Sequence, residues 1–295
     1  MSLEKFFHLK ENNTTVKTEI MAGVTSFMTM AYILAVNPNI LAAAGMDHGA
    51  VFTATAVASF IGTLCMALFA NYPFALAPGM GLNAYFAYTV VLGMGYSWEV
   101  ALAAVLTEGI IFIILSCFNI REAIFNAIPF NLKKAVSVGI GLFITFLGLQ
   151  NAKIVIGGAT LVGLFSVDGY NKTLADGLTA SMSDAGITVL LAIFGVLITG
   201  ILIVKNVKGN ILWGILITWI LGIICQFAGI YIPNPDLGFY NLLPDFSNGI
   251  SIPSLAPIMF KFSLKGVPVL EFIIIVFAFL FVDLFDTLGT LIGVS

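Results

Sequence analysis

The chain has 295 residues, of which 60% are hydrophobic and 9% charged, with a formal net charge of −3. A soluble domain carries about 25% charged residues, so this chain cannot dress a water-facing surface and needs lipid around it. So small a net charge does not imply a nucleic-acid or other polyanionic partner.

Residues 3–17 read as a short interfacial helix, with Phe6, Phe7 and Leu9 toward the headgroups and Lys5 and Lys10 in water, or else as a polar tail. The start lacks a charged-then-apolar signal with a small-residue cleavage site, so the first span has to insert by itself. A spanning helix needs about 20 apolar residues. Runs of that kind fall at 20–44, 50–70, 98–118, 133–151, 186–204, 210–230 and 268–294. Between the second and third lies a shorter stretch, 72–93, broken by Pro73, Pro78, Gly79 and Gly81, which reads as an extended piece followed by a half-helix. Eight membrane segments result. The domain plan is a cytoplasmic segment 1–19, seven segments over 20–230, an extracytoplasmic loop 231–267, and an eighth segment over 268–295.

With the amino terminus inside, the inner segments hold Lys5, Lys10, Lys17, Arg121, Lys133, Lys134, Lys205 and Lys208, and the outer ones Lys153, Lys172, Lys261 and Lys265. Eight against four favours that orientation. Cys65, Cys117 and Cys225 lie inside apolar runs and read as small buried hydrophobes rather than disulfide partners or metal ligands. The last apolar run stops at Ser295 without a polar tail, the pattern of a fragment that ends as its eighth segment leaves the bilayer.

Charge inside a membrane costs about 2.5 to 3.5 kcal/mol per residue on insertion scales, so an intramembrane acid is a candidate functional group. Glu108 in the fourth segment and Asp283 and Asp286 in the eighth are such acids. Three residues apart, the two aspartates share one helical face, and carboxylates that close cannot both ionise cheaply. That suits a proton-coupled carrier. For Glu108 an ordinary glutamate bonded within the bundle is an equal reading.

The stretch Asn71 to Phe86 is the second signal. Non-helical backbone at membrane depth is tolerated only where protein or a water-filled cavity satisfies it, and carriers use such breaks to aim a helix N-terminus at the substrate. Pro78 presets a helix start, Gly79 and Gly81 let a flat ligand approach the backbone, and Asn83 offers a donor and an acceptor. In the first segment, Val36-Asn37-Pro38-Asn39 also interrupts a helix, and Thr25, Ser26 and Thr29 are spaced to face a cavity.

On these residues the chain resembles the nucleobase–cation symporter superfamily (xanthine/uracil permeases), within it the AzgA-like guanine/hypoxanthine branch. The stretches that carry the likeness are Ala22 to Tyr32 with Asn37-Pro38, Ala77 to Ala84, Gly139 to Phe143, and Phe281 to Val294. The resemblance implies an all-α polytopic membrane fold of seven plus seven segments in inverted repeat, with a broken third helix carrying a short strand. This chain would hold the first repeat and the eighth segment. It implies Asp283 as the acidic substrate ligand, Asp286 as a nearby functional acid that shares proton coupling with Asp283, and Asn83 as a polar site residue, with Met80, Gly81 and Thr25 beside them. The second acidic ligand of the family, on the tenth segment, has no counterpart here. The glutamine–histidine pair of the uracil and xanthine branches is missing too, and Thr25-Ser26 stands near its place.

The function implied is proton-coupled symport of a purine nucleobase across the bacterial inner (plasma) membrane by alternating access, with no metal and no cofactor; a homodimer is left open. A carboxylate at Asp283 would accept from N1–H and the 2-amino group of guanine in a fork, whereas adenine, with an unprotonated N1, prefers an amide. Rival readings are an adenine or other nucleobase carrier, an anion transporter on the same fold, and an intramembrane aspartyl protease. The protease needs two aspartates on different helices facing one water, and Asp283 and Asp286 share one helix.

Overall fold

The computed structural model describes residues 6–118, 126–158, 160–174, 177–243 and 251–294. Arg121 and the start of the expected interfacial helix, including Lys5, lie outside them. Helices in chain order are α1 (Val16–Met30), α2 (Ile33–Ala42), α3 (His48–Cys65), α4 (Met80–Ala84), α5 (Trp98–Cys117), α6 (Phe130–Asn151), α7 (Val167–Thr173), α8 (Ile187–Val204), α9 (Asn210–Phe227) and α10 (Val269–Val294). Wider helical turns extend α3 through Met66–Ala70, carry α4 on through Tyr85–Gly93 and lead into α8 over Met182–Gly186. Among the described residues six helices are long and apolar enough to cross a membrane. Large apolar side chains such as Phe69, 86% exposed, lie on the outer faces of these helices. The protein is therefore a multi-pass α-helical membrane protein.

Three details depart from expectation. Residues 7–13 form turns rather than a helix, with His8 and Asn13 in left-handed conformation. The first span breaks at Ala31–Tyr32, and Pro38 sits inside α2. Proline removes its own N–H and crowds the carbonyl four residues back, so the helix loosens upstream of the ring. Third, residues 72–79 have no regular secondary structure and pair with no strand among the described residues. The one strand pair there is β1 (Val155–Gly158) with β2 (Leu161–Leu164), antiparallel. In place of a strand partner, the hydroxyl of Thr63 on α3 accepts from Leu76 N–H at 2.9 Å and donates to Leu76 C=O at 3.4 Å.

The chain divides into two compact units. The first comprises Met1–Ala31 and Thr145–Ser251. Its α8 and α9 pack through small residues. Thr218 lies against Gly195 and Thr199 against Gly214, each threonine donating back to the glycine carbonyl of its own helix at 2.7 Å; a side chain on either glycine would hold the helices apart. A second cluster of this unit gathers Ile156, Tyr170, Ala180, Ala185, Tyr231 and Phe239 around Asp184. Asp184 caps the entry to α8: its carboxylate accepts from the N–H groups of Ser181 and Ala185 and, at 3.1 Å, from the Asn234 amide. The second unit comprises Tyr32–Ile144 and Ile252–Ser295. Its core joins α2, α3, the α4 helix, α5 and α10 through Ile40, Val51, Phe86, Val90, Ala104 and Phe279. Thr53 on α3 donates to the carbonyl of Pro253 at 2.9 Å, which fastens the loop before α10.

Burial, and secondly the Asp184 charge, push the phenols of Tyr170 and Tyr231 above the usual tyrosine value of 10.0. Below that value both are neutral whether folded or not. Above it the unfolded chain ionises first, so folding stability falls with rising pH. Ultraviolet titration of Tyr→Phe variants is expected to show these two phenolates forming after those of the exposed tyrosines, and Asp184→Asn to bring them part of the way down. Phenolates that form with those of exposed tyrosines would contradict this packing.

Candidate binding site at the helix break

The break is built by local chemistry. Asn71 ends the turns after α3 in left-handed conformation, φ 54°, which asparagine tolerates better than most residues. Pro73 and Pro78 then hold the chain extended to Gly79, the N-cap of α4. Gly79 has no side chain to cap the helix, so the first N–H groups of α4 are left for another partner.

A carboxylate of α10 stands beside that end. A side chain at Gly79 would run into Oδ2 of Asp286, and a Cβ at Gly81 would sit 3.8 Å from Val282. Tyr85 packs edge-on against the fully buried Phe279 at 4.9 Å. A carboxylate therefore lies against the positive end of a helix, the arrangement its dipole favours. Asp283, one turn earlier on the same face, comes close to the carboxyl group of Glu108 on α5. Glu108 is only 4% exposed, and its Oε1 has no protein partner. Glu108 and Asp283 form a pair of neighbouring acids, which cannot both ionise cheaply. Glu108 thus has a partner that sequence spacing could not name, since 175 residues separate the two.

Buried amides close the other side. Asn83 Nδ2 donates to Asn37 Oδ1 at 2.6 Å, Asn37 Nδ2 to Thr55 Oγ1 at 2.7 Å, and Thr55 Oγ1 to the Val51 carbonyl at 2.7 Å. Asn37 is 4% and Thr55 2% exposed. The sequence marked Asn37 only as part of a helix interruption and did not mark Thr55 at all. A buried asparagine in an apolar run was the available signal.

Of the residues singled out from sequence, the second unit brings together Met80, Gly81, Asn83, Asp283 and Asp286. Met80 is buried and the other four are half-buried. Thr25 lies on α1 in the first unit. Its hydroxyl donates to Met21 C=O at 2.8 Å, and it lines a groove of about 700 Å³ with Lys17, Thr18, Ser26, Thr29 and Lys208. The cysteines are corrected in one respect. Cys65 and Cys117 are exposed on helix faces and Cys225 is half-buried; lipid accepts the same small apolar group that a core does.

The permease family model, Xan_ur_permease, matches residues 17–295. The chain is 48% identical over 290 residues to a protein of Methanocaldococcus jannaschii named as a permease, covering 98% of this chain and 59% of that one. To the guanine/hypoxanthine permease PbuO of Bacillus subtilis it is 42% identical over 292 residues, covering 98% and 61%. To the adenine permease AdeP of Escherichia coli it is 38% identical over 296 residues, covering 99% and 59%. The chain spans about three fifths of the length of these curated relatives.

Truncating the buried Glu108 side chain leaves a cavity beside Asp283. Glu108→Ala is expected to lower the melting temperature in detergent, and Glu108→Gln, which keeps the volume, to lower it less. Equal melting of Glu108→Ala and the parent protein would deny that this side chain is packed.

Proposed function

The chain belongs to the permease family, and from that premise we propose that it forms the purine-holding part of a guanine/hypoxanthine permease working by proton symport. It is not an enzyme: the family and the relatives are permeases, which removes the aspartyl protease. The observation that carries the reading is the gathering of three acids, Glu108, Asp283 and Asp286, at the uncapped start of α4. An anion carrier has no use for carboxylates at its site, whereas a 6-oxopurine presents N1–H to one. The name of PbuO, a guanine/hypoxanthine permease, agrees with a 6-oxopurine, and that of AdeP, an adenine permease, marks adenine as the competing substrate.

In this reading the purine lies between the α4 tip, Met80 to Asn83, and α10. Asp283 as carboxylate accepts from N1–H and, in guanine, from the 2-amino group. A proton taken up from outside onto Glu108 or Asp286 leaves Asp283 as the carboxylate that the purine needs. Proton and purine therefore load together, and both leave on the inner side. Thr25 is proposed as a further substrate residue on the family pattern. The two units correspond to no simple cut along the chain, and alternating access by near-rigid bodies is proposed on the family pattern. The protein is placed in the bacterial inner membrane with its amino terminus inside, on the eight-to-four distribution of Lys and Arg.

Uptake of labelled guanine, hypoxanthine and adenine by cells lacking their own purine carriers, expressing the complete reading frame, tests the assignment. Guanine and hypoxanthine are expected to enter, a protonophore to stop them, and Asp283→Asn to lower guanine uptake by at least about tenfold, the cost of one unpaired buried polar group. Undiminished guanine uptake by Asp283→Asn, or uptake that ignores the protonophore, would overturn the respective part.

A further inference from the structure

The amide chain behind α4 has a direction that its chemistry fixes. A carbonyl oxygen can only accept, so the single hydroxyl proton of Thr55 goes to the Val51 carbonyl, 2.7 Å away. Toward Asn37, Thr55 can then only accept. The atom of Asn37 that meets it, at 2.7 Å, must be the nitrogen. The Asn37 oxygen therefore faces Asn83, and the Asn83 atom 2.6 Å from it must also be nitrogen. Placement of an amide O and N usually has to be chosen from the network around it; here the network permits one choice at both asparagines. Asn37 and Thr55 are buried, and the links join α2, α3 and α4 within the second unit.

We infer that Asn37 and Thr55 are the positioning residues that set purine selectivity, by locking the Asn83 amide end for end. An amide free to turn over offers its oxygen to a 6-amino group or its N–H to a 6-oxo group with equal ease. A locked amide offers one order only, so a purine with the opposite group at that edge leaves a buried polar atom unpaired. A site built this way rejects the wrong ligand by orders of magnitude, whereas apolar contacts reject it by far less. Neither Asn37 nor Thr55 needs to touch the purine. The inference rests on the proposed function in taking Asn83 as a ligand contact, but the direction of the chain stands without it.

The test compares Thr55→Val, which keeps the shape and removes the acceptor, with Thr55→Ser, which restores it. The expected result is a guanine-to-adenine uptake ratio that falls at least about tenfold in Thr55→Val, while Thr55→Ser keeps the parent ratio. Asn37→Leu cuts the same chain from the other side and should relax the ratio likewise, which covers failure of either variant to fold. A change in expression or melting temperature with an unchanged ratio in both variants would make the chain structural only and overturn the inference. Nuclear magnetic resonance of the side-chain amide of Asn83, assigned by its loss in Asn83→Ala, gives a readout free of transport. Thr55→Val is expected to move the two amide proton signals toward those of a free asparagine side chain, and an unchanged pair would overturn the lock. If the parent protein took up no purine while the amide signal responded as expected, the proposed function would fail and the lock would remain.

Discussion

The structure turns on a carboxylate set against a bare helix start inside the membrane. Hydrocarbon offers no hydrogen bonds, so the extended chain before α4 and the unpaired N–H groups of its first turn need partners from protein. Thr63 serves the extended chain at Leu76, and Asp286 stands against Gly79. Any side chain at Gly79 would occupy the space that the carboxylate takes. Proline, glycine and aspartate, each unfavourable in an ordinary span, meet where α4 packs against α10.

The second unit is where polar groups are buried: Asn37, Thr53, Thr55 and Glu108 all belong to it. In the first unit the corresponding group is Asp184, which is satisfied by backbone N–H groups and one amide and serves as a helix cap. Asp184 closes its own network. The Glu108–Asp283 pair instead leaves a carboxylate oxygen open, and Asn83 keeps an oxygen and one N–H beyond its bond to Asn37. Groups left partly unspent inside lipid are the ones available to a ligand.

Much of this was legible in the chain. Apolar runs located the long helices closely, because a bilayer sets their length: the run at 98–118 became Trp98–Cys117, and that at 268–294 became Val269–Val294. Pro78, Gly79 and Gly81 marked the break, since few residues start a helix that way. What stayed hidden was partnership and facing. Lipid and protein interior both accept apolar side chains, so a span is apolar all round and periodicity does not say which face is buried; Cys65 and Cys117 came out exposed for that reason. Nor does spacing pair Glu108 with Asp283, or Asn83 with an asparagine 46 residues earlier. Pro38 misled in a smaller way, because its effect on the helix falls a turn or more upstream of the ring.

The most direct measurement of the claim that a purine sits at the α4 tip is ligand protection. Gly81→Cys, in a complete protein with Cys65, Cys117 and Cys225 replaced by serine, puts a thiol beside Val282, where the added atom meets only an ordinary contact at 3.8 Å. Guanine is predicted to slow its reaction with a maleimide in proportion to occupancy, and adenine to slow it far less. Equal rates with and without guanine, in a variant that still transports it, would contradict the account.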